Sequence, residues 1–239
     1  RSKNCLASIE KHLPWLLKQW PELQVCSVNL QPKAAALLEG EEEIILTEQT
    51  LLAEQLNQVP LYLTPQSFFQ TQPVMAAALY QTAADWAAQV QQQQGDFSRI
   101  WDLFCGVGGF GLHLTKPAQQ LTGIEIAPAA IASARRSAAE LSLSKVQFQA
   151  LDSAAFAAAS AQAPDLLVVN PPRRGLGKEL CQDIARLSPR WLLYSSCNAQ
   201  SLAQDLAALT DYKLLKVQLF DMFAHSNHYE VLTLLQKRV

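Results

Sequence analysis

Arg99-Ile100-Trp101-Asp102-Leu103-Phe104-Cys105-Gly106-Val107-Gly108-Gly109-Phe110-Gly111-Leu112-His113-Leu114 decides the architecture. Its first six residues read as a short buried strand and Gly109 to Leu114 as a helix, with Gly106, Gly108 and Gly111 at the spacing GxGxxG. Glycines let the backbone turn tightly and pass close under a ligand. A strand-turn-helix of this kind therefore marks a place where something flat or anionic lies at the carboxyl end of a strand. The spacing alone leaves three readings open: a nicotinamide dinucleotide, S-adenosylmethionine, or a tight turn without ligand.

Toward the carboxyl end the alternation continues. Leu121 to Ile126, Val146 to Ala150, Asp165 to Asn170 and Trp191 to Tyr194 read as strands; Pro128 to Leu141, Ser153 to Ala161, Lys178 to Leu187 and Ala199 to Leu209 read as the helices between and after them. Tyr212 to Phe220 and Tyr229 to Leu235 follow as two strands with no helix between them. This pattern predicts a Rossmann-like α/β fold, a mostly parallel seven-stranded sheet with an antiparallel C-terminal hairpin at one edge. Class I methyltransferases carry such a hairpin, and dinucleotide-binding dehydrogenase domains usually do not.

Toward the amino end, Pro73 opens an Ala-rich helix over Val74 to Val90, and Gln91 to Gln94 with Gly95 reads as a polar linker that ends it. Leu61 to Thr64 reads as a strand. Before it, Leu6, Ile9, Leu13, Leu16 and Leu17 give a helix over Cys5 to Gln19 that Pro14 would bend or cap. Val25 to Leu30 reads as a strand, and Ala35 to Leu38 with Glu43 to Leu46 as a hairpin about Gly40, with Glu41-Glu42-Glu43 in a solvated loop. The expected organisation is a partial α+β domain over 1–64 and a catalytic domain over 65–239.

The 239 residues are 49% hydrophobic, enough for a full core. There is no apolar run near the ~20 residues of a membrane helix and no signal-peptide pattern, so a cytoplasmic protein is expected. Five scattered cysteines give neither a disulfide framework nor zinc-site spacing. The net charge of −2 supplies no general basic surface, so any nucleic acid would have to meet a local patch. The sequence opens with Arg1 inside a helical pattern, which suggests a truncated chain.

Chemistry-bearing residues fall at strand ends. Glu125 closes the second strand of the alternating series, where a carboxylate accepts both hydroxyls of a ribose. Asp102 precedes the glycines, and Asp152 suits either an adenine amino group or a helix N-cap. Asn170-Pro171-Pro172-Arg173 is a rigid loop. Amino-methyltransferases of nucleic acids end a similar tetrad in an aromatic residue, and Arg173 in that position argues against an exocyclic amine. With Arg174 and Lys178 it forms a local basic cluster. Cys197, in Ser195-Ser196-Cys197-Asn198, falls on a strand-to-helix turn, where the helix dipole is expected to favour thiolate. Glu230, His225 and His228 crowd the last bend. They lack a fourth partner for a metal, and an acid-base role for Glu230 near Cys197 is the better reading.

Taken in order, Gln66-Ser67-Phe68-Phe69-Gln70, Asp102 to Gly111, Gly123-Ile124-Glu125, Asn170 to Gly175, Tyr194 to Asn198, and Asp221-Met222-Phe223 through His228-Tyr229-Glu230 resemble the RNA uracil-5-methyltransferases. Within them the resemblance is to the bacterial branch that modifies a 23S ribosomal RNA uridine. It implies S-adenosylmethionine held by Gln70, Phe104, Gly106, Glu125 and Asn170. Cys197 would be the nucleophile that adds to carbon 6 of uracil, and Glu230 the base that removes the proton from carbon 5. Phe223 or Tyr229 would flank the flipped base. The implied partner is RNA, 23S rRNA, with a monomeric chain, no membrane and no metal. Ala224 and Ser201 stand where the family usually has proline and threonine. The four cysteines of an iron-sulfur cluster have no counterpart here, so a cluster is expected only in the full-length protein, and RNA affinity is expected to be weakened in this one. A tRNA-specific relative, an NAD-linked oxidoreductase and a non-catalytic RNA-binding module remain open.

Overall fold

The computed structural model describes residues 5–32, 40, 42–70 and 72–238, in two compact units. The smaller comprises Arg1–Ala53 with Leu63–Gln66, and the larger Glu54–Tyr62 with Ser67–Val239. In the smaller unit, α1 (Leu6–Gln19) continues past Pro14 instead of ending there. β1 (Ser27–Leu30) pairs antiparallel with β2 (Glu42–Ile45), Ser27 facing Ile45 and Leu30 facing Glu42. Of the expected hairpin, Ala35 to Leu38 lies outside the described residues, and the second arm takes β1 as its partner. Glu42 and Glu43 are strand residues, not loop, and the Glu43 carboxylate accepts from Asn29 Nδ2.

β3 (Leu52–Leu56) and β4 (Val59–Leu63) make a separate two-stranded sheet joined by Asn57 and Gln58, both at positive φ (49° and 69°). Two left-handed residues are what a tight hairpin requires. Without glycine, and with a strand of sequence LAEQL lacking β-branched residues, nothing local announced it.

α2 (Pro73–Gln94) has Gln72 as N-cap, accepting from Met75 N, and proline at its first turn. It runs through the glutamines that read as a linker. The cause is tertiary: Gln91 is buried, and its Oε1 accepts from Gln119 Nε2 (2.7 Å), a bond a solvated linker could not keep.

The larger unit is built on β5 (Arg99–Leu103), β6 (Gln120–Glu125), β7 (Val146–Ala150), β8 (Leu166–Val169), β9 (Trp191–Ser196), β10 (Tyr212–Asp221) and β11 (Tyr229–Lys237). Their order is β10-β11-β9-β8-β5-β6-β7. β5 to β9 are parallel and β11 runs antiparallel to both β9 and β10, the Rossmann-like arrangement with a reversed edge. The intervening helices are α3 (Gly109–Leu114), α4 (Pro128–Glu140), α5 (Ser153–Ala159), α6 (Gly177–Leu187) and α7 (Ala199–Ala208). Trp101, Leu103, Leu167, Val169, Leu192 and Tyr194, alternate residues of three strands, pack with α5, α6 and α7 in one core. Among the described residues no helix is long and apolar enough to cross a membrane.

This topology positions the site. Parallel β5, β6, β8 and β9 all end at one edge. Because Val231 of antiparallel β11 lies opposite Ser196 of β9, the start of β11 reaches the same edge. Glycine turn, Asn170 loop, Cys197 and Glu230 are thus delivered together from far-apart stretches of chain.

Candidate active site

A cleft of about 510 Å³ opens at that edge, within the usual range for small-molecule sites. Phe104, Gly106, Glu125, Ile126, Asp152 and Ser153 line one part of it; Phe68, Asn170, Pro171, Pro172, Arg173, Arg174, Cys197 and Glu230 line the rest.

The glycine turn is a run of left-handed backbone: Phe104 at φ 61°, Gly106 at 53°, and Gly108 at 87° as N-cap of α3. A Cβ at Gly106 would meet no protein atom within 4 Å. That position is open on the cleft side, as a backbone that passes under a ligand must be. Gly106 N donates to Glu125 Oε2 (3.2 Å), and Ala127 N to Oε1 (3.0 Å). Both carboxylate oxygens are thereby fixed, and each keeps a further acceptor site for a diol. Asp152 is the N-cap of α5, accepting from Ala155 N, and also faces the cleft. Asp102 sits behind the turn, with Oδ2 accepting from Gly111 N (2.8 Å). Burial pushes its carboxyl up to about 7.

The loop after β8 is tied to α7 at several points. Asn198 caps α7 through Oδ1, accepting from Gln200 N and Ser201 N, while its Nδ2 donates to Arg173 O (3.0 Å). Ser201 Oγ donates to the same carbonyl (3.1 Å). Aspartate at 198 could cap the helix but could not hold the loop. Buried Asp205 accepts from Leu176 N (2.7 Å), Gly177 N (3.3 Å) and the Tyr194 hydroxyl (2.6 Å). Asp205→Ala strands all three donors, and a loss of about 2–4 kcal/mol in unfolding free energy is expected from urea titration.

Cys197 is half-buried, and its thiol is pushed up, first by burial and then by the Glu230 carboxylate; the Arg173 guanidinium opposes them. The dipole expectation fails here for a local reason. Asn198 is the cap, so Cys197 precedes it, and the Asn198 side chain already takes the free amides of the first turn. Glu230 is 2% exposed, and burial pushes its carboxyl up to about 7, against hydrogen bonds from Ser195 Oγ (2.6 Å) and Gln70.

Of the residues singled out from sequence, Phe104, Gly106, Glu125, Asn170, Cys197 and Glu230 line the one cleft. Gln70 is buried and donates to Glu230 instead of lining it. Tyr229 is part-buried against the core, and its hydroxyl accepts from Ala199 N (3.1 Å); Phe223 is 41% exposed. Sequence reasoning missed Ser195, and it gave no role to Phe68 or Ile126, which are 75% and 69% exposed at the cleft. The signal for Ile126 was a large apolar residue directly after a strand, next to Glu125; Phe68 lies in the irregular segment between β4 and α2 and had no such signal. Among the described residues no group of three or more His, Cys, Asp or Glu side chains could hold a metal ion.

Residues 41–238 match the family described as tRNA (uracil-5-)-methyltransferase. The whole chain is 57% identical to the 23S rRNA (uracil(747)-C(5))-methyltransferase RlmC of Pectobacterium carotovorum, and equally to that of Escherichia coli; it spans 62% of the length of each. Among solved structures, it is similar to the tRNA (uracil-54, C5)-methyltransferase of Pyrococcus abyssi in complex with S-adenosyl-L-homocysteine. That likeness has a TM-score of 0.76 and 26% identity, over 92% of this chain and 52% of that one. The fold alone is shared with Trm5b of the same organism, at a TM-score of 0.62 and 14% identity, over 99% of this chain and 71% of that one. A match over most of the sequence, on a sheet whose carboxyl edge gathers the glycine turn, the Asn170 loop and the Cys197 turn, means that this chain belongs to the tRNA (uracil-5-)-methyltransferase family.

Proposed function

We propose that this chain carries the site of an S-adenosylmethionine-dependent enzyme that methylates carbon 5 of a uridine in RNA, 23S rRNA being the substrate. One observation carries the reading: a half-buried thiol and a buried carboxyl held near 7 line the same cleft as a left-handed glycine turn and a fixed carboxylate. The first pair suits pyrimidine activation, and the second suits an adenosyl group. Glu125 would accept the ribose hydroxyls, Gly106 and Phe104 would lie under the ligand, and Asn170 would border the reacting end. Gln70 would orient Glu230.

Carbon 5 of uracil is a weak nucleophile. Addition of the Cys197 thiolate to carbon 6 moves an electron pair toward carbon 5 and the carbonyl oxygen, which makes carbon 5 attack. The methyl donor supplies an electrophilic carbon on a sulfonium. Glu230 then takes the proton from carbon 5, the ring double bond re-forms, and the sulfur is expelled. Arg173 and Arg174 line the cleft and would supply positive charge for phosphates.

The 57% identity to enzymes named for a 23S rRNA uridine favours rRNA over tRNA. Offering both transcripts with labelled methyl donor and mapping the product tests it. Label on tRNA alone would reverse the choice of substrate, and label on neither would remove the activity. A narrower test is Gly106→Ala. Its Cβ enters the open side of the cleft, so S-adenosylmethionine affinity should fall about tenfold by calorimetry, with about 1 kcal/mol of stability lost to the left-handed backbone.

A further inference from the structure

His228 has no part in the chemistry above, yet its placement is determined at three points. Ser226 N donates to Phe223 O (2.9 Å), closing a turn, and His228 N donates to Ser226 Oγ (3.2 Å). The rings of Phe223 and His228 meet edge to face, with centroids 6.0 Å apart. The imidazole then presents Nδ1 to Arg173 Nη2 at 3.0 Å. A guanidinium only donates, so Nδ1 accepts with its lone pair and the ring proton sits on Nε2.

Arg173 is anchored at its other end. Its carbonyl is held by Asn198 and Ser201, which belong to the turn and helix that follow the nucleophile. Between these two anchors Arg173 lines the same cleft as Cys197, and its guanidinium favours the ionised sulfur. Arg173 is exposed, and a long exposed side chain with several free rotors does not stay on one partner unaided. The acceptor on the last bend is what restricts it.

We propose that His228 is a positioning residue: by accepting from Arg173 it holds the guanidinium in the cleft that Cys197 lines and so sets the reactivity of the nucleophile. The proposal rests on the reading of Cys197 given above. The charged groups facing that sulfur are Glu230 from β11 and Arg173 from the loop after β8. The carboxylate opposes ionisation and the guanidinium favours it. Only the guanidinium sits on an exposed, movable side chain, so its contribution is the one a neighbour can govern.

The test is the pH dependence of Cys197 alkylation by iodoacetamide, read on the Cys197 peptide by mass so that exposed Cys5 and part-buried Cys26 do not contribute. His228→Ala should move the midpoint up by about half a pH unit, leaving roughly threefold less thiolate at a given pH. His228→Phe keeps a ring against Phe223 but has no acceptor, and should give the same shift. His228→Asn, whose amide oxygen can stand where Nδ1 stood, should recover most of it. Arg173→Ala should shift the profile at least as far, and adding His228→Ala to it should change nothing more. An unchanged profile in the alanine or phenylalanine variant overturns the proposal. So does a full additional shift in the double variant. The assay contains neither RNA nor methyl donor, so a failure of uridine methylation would count against the proposed function and leave this result standing.

Discussion

Cys197→Ala is expected to bind S-adenosylmethionine as the parent does while losing methyl transfer to uridine by roughly 10⁴-fold or more. The two effects separate because of where the residue sits. Glu125 ends β6 and the glycine turn follows β5, whereas Cys197 follows β9 on the other side of β8. Removing one half-buried sulfur leaves the carboxylate of Glu125 on its two backbone amides. What disappears is the only way proposed here to place electron density on carbon 5. Calorimetry with the methyl donor and incorporation of labelled methyl into rRNA check the two halves. Turnover within tenfold of the parent would mean that no covalent bond to the enzyme is needed.

Glu230→Gln should behave differently, because in the proposed mechanism Glu230 acts after the bond to Cys197 has formed. Addition and methyl transfer survive, proton removal does not, and a protein-RNA adduct stable to denaturing electrophoresis should accumulate as turnover falls by about 10²–10⁴-fold. A loss of activity without adduct would place the base elsewhere. In the parent, turnover should rise with pH through about 7, as the Glu230 carboxyl ionises. Stability runs the other way. A carboxyl whose folded value is raised from 4.5 to about 7 leaves the folded state binding more protons than the unfolded state between those values, so stability falls as pH rises across that window. Glu230→Gln removes the buried charge, keeps an acceptor for Ser195, and should be more stable than the parent above neutral pH by about 1–3 kcal/mol in urea titrations. Gain of stability with loss of turnover is the mark of a group placed for chemistry.

Much of this was legible in the chain. The alternation of short apolar runs with amphipathic stretches gave the parallel sheet, and two final strands without a helix gave its reversed edge, because both are local periodicities. Gly106, Glu125, Asn170, Cys197 and Glu230 stood out because each is an unusual residue type at a strand end. What could not be read locally were the partners. The hairpin of β3 and β4 turns on two left-handed residues, Asn57 and Gln58, that carry no glycine signal, and Gln91 is helical because Gln119 bonds it in the core.

Sequence alone determined which side chains could do chemistry and on which strand ends they fall, since residue type and hydrophobic period are written along the chain. Only the tertiary structure decided their protonation and their company. Glu230 is held near 7 by the packing that buries it. The Cys197 thiol is raised, not lowered, because burial and a carboxylate from a distant strand outweigh a helix that begins one residue too late. Arg173 meets His228, 55 residues further on, because antiparallel β11 returns the last bend to the edge where the parallel strands end.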